Sequence, residues 1–211
     1  MIYERDPERI YASSFETVRR EADLRAMPPD VAELAVRVIH ASGMVDLASD
    51  LAFSADCVAA GRAALEVGAP ILCDCAMVAS GVIRRALPAA NDIVVTLNDP
   101  GVADRARAEG TTRSAAAVEL WRDRLDGAVV AIGNAPTALF RLLEGLDAGW
   151  PRPSVILGFP VGFVGAAESK AELAHDPRGI PFATLRGRRG GSAMASAAVN
   201  ALALGLGRAS P

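Results

Sequence analysis

A mostly parallel α/β sheet with helices on both faces is the fold this chain predicts, and three observations predict it. From residue 71 onward, short apolar runs alternate with helical stretches, the pattern of βαβ units. Only 5% of residues are aromatic although 51% are apolar, so Ala, Val, Leu and Gly must build the core, a composition suited to helices lying close on a sheet. Glycine, asparagine, proline and arginine cluster just after the apolar runs, and in a parallel sheet those segments gather at one edge. The expected architecture is a five-stranded, three-layer, Rossmann-like sheet with an N-terminal helical segment. We read it as one domain, with a mainly helical part over 1–68 and βα units over 69–211.

Taken in order, residues 1–26 are polar and helical in parts, with Ser13 or Ser14 as an N-cap for a helix over 15–25. Pro28, Pro29 and Asp30 start a clear helix, in which Val31, Leu34, Ala35 and Val38 recur at i, i+3, i+4 and i+7 and which Gly43 ends. His40 falls in its last turn, beside free carbonyls that favour an imidazolium, so its pKa is expected to be raised. Ser54 is expected to cap a helix running to about residue 67. The strands follow at 71–73, 93–97, 128–132, 154–157 and 181–185. Between and after them come helices at 76–87, a pair within 102–125, and further helices at 136–146, 166–174 and 192–204.

Composition excludes several classes. Lys+Arg number 22 against 25 Asp+Glu, a formal charge of -3, so no global field draws in nucleic acid. Two histidines, and three cysteines without a second pair beside Cys73/Cys75, do not make a metal centre. The start of the chain is charged from Glu4 to Arg9 and lacks an apolar signal core, and the C-terminal apolar run is too short to span a bilayer. The expectation is a cytoplasmic protein with reduced thiols, no membrane span and no protein-ligated metal.

The residues expected at the sheet edge carry the functional signal. Gly158 to Lys170, GFPVGFVGAAESK, reads as strand end, glycine-paced loop and helix start, compatible with a packed turn or with a ligand loop. Gly187 to Ser192, GRRGGS, puts two guanidiniums beside exposed backbone N–H groups and a helix start, which is how an anion site is built, although a solvated turn has the same look. Arg113 sits in a first helical turn, where its charge opposes the dipole and invites something negative. Asn134 and Pro136 make a good helix start. Lys170 and Glu168 read equally well as a solvated helix face. His40 is the one obvious proton donor near neutral pH.

Together, His40-Ala-Ser-Gly43, IGNAPTAL over 132–139, GFPVGFVGAAESK and GRRGGSAMA resemble the precorrin-8X methylmutase family, in the family's order and from the Ser13/Ser14 region to the last helix. The resemblance implies an isomerase of corrin biosynthesis that moves the ring C methyl of precorrin-8X from C-11 to C-12 by a [1,5]-sigmatropic shift, giving hydrogenobyrinic acid. His40 matches the family's acid. No cofactor is implied. A homodimer with the tetrapyrrole near the subunit interface is implied, and neighbouring pathway enzymes are further candidate partners. By motif, Arg113, Arg188, Arg189 and Ser192 become carboxylate partners, and Ser13, Ser14, Thr137, Gly162 and Lys170 candidate pocket residues. The same shift on cobalt-precorrin-8 and a non-catalytic tetrapyrrole carrier remain alternatives; a nucleotide-binding domain is disfavoured because neither dinucleotide nor phosphate-loop fingerprints occur.

Overall fold

The computed structural model describes residues 3–205. Its centre is one six-stranded sheet in the order β1-β6-β5-β4-β2-β3. The strands are β1 (Leu51–Phe53), β2 (Ile71–Cys73), β3 (Ile93–Val94), β4 (Val129–Ile132), β5 (Val155–Gly158) and β6 (Phe182–Leu185). Strands β2 to β6 are parallel, as expected, whereas β1 runs antiparallel to β6. The sheet thus has six strands where the sequence predicts five. Leu51–Phe53 is too short to show alternation, and it is defined by its partner: Ser54 extends the ladder by donating its N–H to the Phe182 carbonyl and accepting the Phe182 N–H on its hydroxyl. Ser54, just past β1, therefore bonds to β6 rather than capping a helix, and α4 (Cys57–Glu66) begins three residues later.

Side chains alternate strictly across the buried strands. Ile71, Cys73, Val129, Ala131, Val155 and Leu157 face a core built with α1 (Pro7–Glu21), α2 (Pro29–Ser42), α3 (Leu47–Asp50), α4 and α10 (Ser192–Leu204). Leu72, Val130, Ile132, Ile156 and Phe182 face the opposite core, with α8 (Pro136–Asp147), α9 (Ala166–His175) and Trp121. Helix α10 is buried on almost every side, because its Ala and Ser residues let neighbours approach closely. At Gly61 of α4 an added Cβ would lie 2.4 Å from the Leu202 side chain, so any larger residue there requires Leu202 to move.

Two boundaries shift for local reasons. The first helix starts at Pro7, not near Ser13, because Asp6 accepts the Glu8 and Arg9 N–H groups at 3.0 and 3.4 Å and proline occupies the first turn. Ser13 and Ser14 consequently lie mid-helix. The helix expected over 76–87 stops as α5 (Ala76–Gly81), followed by a 3-10 turn, η1 (Arg84–Ala86). Asn200 of α10 takes the backbone groups that would have continued it, donating to the Gly81 carbonyl at 2.9 Å and accepting the Ile83 N–H at 2.8 Å.

The chain leaves β2 for β3 on one side and returns to β4 on the other, so the strand order reverses between β2 and β4. The carboxyl ends of strands at such a reversal form a ligand crevice. Asp74 sits there, buried, and accepts N–H groups from Gly133, Asn134 and Ala135 at 2.8–2.9 Å, fixing the loop that follows β4. Burial pushes its carboxyl upward while the three donors oppose the shift.

Candidate active site

His40 ends α2 against the middle of α1. Its Nδ1 lies 2.8 Å from the Ser14 hydroxyl, and its ring stands 5.6 Å from Tyr11 and 5.0 Å, edge-on, from Phe15. One turn earlier, Arg37 places its guanidinium 5.3 Å from the Phe15 ring. The sequence already held this arrangement in its spacing: Tyr11 and Ser14 are i, i+3 on one helix face, and Arg37 and His40 repeat the interval on the next.

The expected rise in the His40 pKa is corrected by the structure. It is lowered, first by burial among these rings and then by the positive charge of Arg37. Arg37 in turn stands near the Tyr11 phenol of α1 and the Arg19–Glu33 pair, which bridges the two helices with contacts of 2.8–3.2 Å.

His40 lines two cavities. One, of 610 Å³, is walled by Phe15, Met77, Ala193, Ala197 and other small or apolar groups, with Arg37, Ser192 and Asn200 among its polar members. It lies next to the β2 end, where Ala76 and Met77 follow Asp74 and Cys75. The other, of 370 Å³, is more polar and includes Ser13, Ser14, Thr17 and Glu21. Among the described residues lining the larger cavity, His40 is the one side chain whose ordinary pKa lies near neutrality.

Ser13, Ser14, His40 and Ser192 thus come together around these cavities. The remaining sequence candidates occupy another part of the sheet edge and line neither cavity. Arg113 starts α7 (Arg113–Val118) and donates to Asn98 Oδ1 at 2.6 Å. The Thr112 hydroxyl donates to that of Thr137 at 2.8 Å. Arg188 lies over the Phe163 ring at 5.5 Å, and the Gly162 N–H donates to the Arg188 carbonyl at 3.3 Å. Arg189 is neutralised by Asp46 and Asp50. Lys170 is no solvated face: it is 1% exposed, donates to the Arg189 carbonyl, and burial pulls its pKa down to about 8. Sequence reasoning missed Arg37, Tyr11 and Asn200 and left Asp74, after the strand at 71–73, without a role; only Arg37 and Tyr11 left a readable signal, their spacing from His40 and Ser14.

An imidazole held by a serine over an apolar cavity, at the strand-order reversal of a parallel sheet, defines an α/β small-molecule site with a single acid–base group. The family model described as precorrin-8X methylmutase matches residues 9–204, and the chain belongs to that family. A precorrin-8X methylmutase from Pseudomonas aeruginosa is 64% identical over 95% of this chain and 97% of its own. A cobalt-precorrin-8 methylmutase from Salmonella typhimurium is 39% identical over 96% and 97%. The solved structure of precorrin-8x methyl mutase from Thermus thermophilus superposes with a TM-score of 0.82 at 38% identity, covering 92% of this chain and 94% of that one.

Proposed function

We propose that the whole chain acts as one catalytic domain, an isomerase that shifts the ring C methyl of precorrin-8X from C-11 to C-12 to give hydrogenobyrinic acid. The metal-free substrate is preferred over cobalt-precorrin-8 because the relative named for it is far closer, at 64% against 39% identity. The observation that carries the mechanism is His40, anchored by Ser14 and open to the 610 Å³ cavity.

In the neutral imidazole the Ser14 hydroxyl donates to Nδ1, and in the imidazolium Nδ1–H donates to the Ser14 oxygen; in both forms Nε2–H is the donor toward substrate. In the free protein, burial and Arg37 disfavour the imidazolium. Substrate brings carboxylates, which offset the Arg37 charge and favour the imidazolium. That acid lends a proton to the macrocycle, the methyl migrates within the same molecule, and the proton returns to His40. Atoms balance without a second reactant, so the reaction itself calls for no cofactor. The apolar walls hold the ring in one pose, which is most of what an intramolecular shift needs.

We further propose a cytoplasmic homodimer. The free, buried thiols of Cys57, Cys73 and Cys75 agree with a reducing compartment. Among the described residues, no helix is long and apolar enough to cross a membrane. Arg113 and Arg188 each lie outside the His40 cavity of their own chain, and beside Arg188 the side chains of Phe163 and Val164 are 85% and 88% exposed. A second copy docking on that loop would bring such arginines to the substrate's acidic arms. The test is anaerobic incubation of precorrin-8X with the protein and with His40→Ala, following absorbance and identifying the product. Conversion by the intact protein and a loss of about 10²- to 10⁴-fold in the variant are expected; binding of precorrin-8X and cobalt-precorrin-8 without conversion of either overturns the reading in favour of a carrier.

A further inference from the structure

The His40 cavity shares a wall with a second hollow, of 710 Å³, and Ala76, Ser80 and Ile83 line both. The wall is the turn from the end of α5 to η1, clamped from behind by both ends of the Asn200 amide. It cannot thicken at Gly81, where an added Cβ would lie 2.3 Å from the Ser196 hydroxyl. Directly after the wall, η1 turns two exposed arginines, Arg84 and Arg85, onto the second hollow.

The two hollows differ in chemistry in a way that matches a tetrapyrrole acid. The first is largely apolar, with Arg37 as the one guanidinium among its lining residues. A macrocycle suits it, but ionised carboxylates left there without partners do not, since burying an unpaired charge is costly. The second carries two guanidiniums, each able to meet a carboxylate in a planar fork, and Ile93 and Val95 provide an apolar side for methylene stems.

We infer that the second hollow seats acidic arms of the substrate: the ring lies beside His40, its arms cross the wall at Ser80 and Ile83, and their carboxylates pair with Arg84 and Arg85. This rests on the substrate proposed above. Arg84 and Arg85 make and break no bond; they bind arms remote from the reacting carbons equally in ground and transition states, so their loss appears in KM rather than kcat.

The test compares the intact protein with Arg84→Gln/Arg85→Gln and with Arg84→Lys/Arg85→Lys, each checked by thermal melting. Steady-state kinetics use precorrin-8X, and binding is read by absorbance titration with hydrogenobyrinic acid. The glutamine pair should raise both KM and Kd by about ten- to hundredfold at low salt, with kcat within about twofold and the gap narrowing as salt rises. The lysine pair, keeping the charge, should recover most of the affinity. A control pair on α6 (Val102–Ala108), Arg105→Gln/Arg107→Gln, lines neither hollow and should leave KM unchanged. An unchanged KM in the glutamine pair, a fall in kcat alone, or an equal effect of the control pair overturns the arm site. Should the intact protein bind hydrogenobyrinic acid yet fail to convert precorrin-8X, the mutase reading falls, while the Kd comparison still decides the arm site.

Discussion

At the scale of single residues, the site is governed by the competition around His40. A helix C-terminus favours an imidazolium, and that rule was legible in the sequence. What was not legible was that α1 folds over the same turn, covering one side of the ring with Tyr11 and Phe15, or that Arg37 stands close by. Because the pKa is lowered, the protonated acid is lost on raising pH at a value below the ordinary 6.5 in the free protein. The basic limb of kcat/KM should therefore fall below 6.5, while the limb of kcat, which reports the substrate complex, should lie at higher pH. Arg37→Gln removes the opposing charge, so the His40 ring in the free protein should titrate at higher pH than in the unmodified chain. NMR of the ring protons can follow this with only two histidines present. Lys170 gives a second residue-scale prediction. Its folded pKa, about 8, lies below the unfolded 10.5, so the unfolded chain binds more protons across that window and stability from this group rises with pH. Urea unfolding of the intact protein and of Lys170→Met from pH 7.5 to 10.5 should show the difference between them moving in favour of the intact protein as pH rises, by about 2–3 kcal/mol.

Elements were legible where their signals are local. The caps and apolar stripe of α2, the strand at 71–73 and the last helix all follow from periodicity, proline and glycine, and the structure puts them there. The misses are elements decided by distant partners. Strand β1 exists because β6 offers an edge, and α5 ends early because Asn200, far along the chain, takes its backbone groups. Asp74 belongs to the same class: nothing near it in sequence says that three N–H groups 59 to 61 residues away will point at it. Asp74→Ala should leave those donors unsatisfied in a buried loop and cost about 2–4 kcal/mol, measured by denaturant unfolding. Gly133→Ala tests the same junction by crowding, since its Cβ would meet the Ser192 Cα at 2.8 Å. Backbone cannot swing aside as a side-chain tip can, so a loss of about 1–3 kcal/mol is expected, together with weaker binding in the cavity that Ser192 lines.

At the scale of the whole molecule, the sequence motifs fall into two groups that one chain keeps apart. Ser14, His40 and Ser192 line the two cavities that meet at His40, whereas Arg113 and Thr137 sit by the segments after β3 and β4, and Gly162 and Arg188 by the loop that leaves β5. Family motifs identify residues that share a function, but they carry no information about which copy supplies each one. The homodimer proposed above would resolve the separation, and the exposed Phe163 and Val164 beside Arg188 are the side chains it would cover. Exposed apolar groups of this size mark a contact surface when they adjoin one another. Phe163→Glu/Val164→Glu places two carboxylates in that surface, where burial without partners is unfavourable. Sedimentation should give a dimer for the intact chain and a monomer for the variant. The His40 ring signals should be unaltered in the variant, since α1 and α2 are untouched, while turnover of precorrin-8X falls at least about tenfold, the loss expected when a charge-assisted pair of carboxylate contacts is removed. A variant that stays dimeric would instead rule out the Phe163 loop as the dimer contact, and one that becomes monomeric with full turnover would show that each chain completes its site alone, leaving Arg37, Arg84 and Arg85 to hold the substrate's acids.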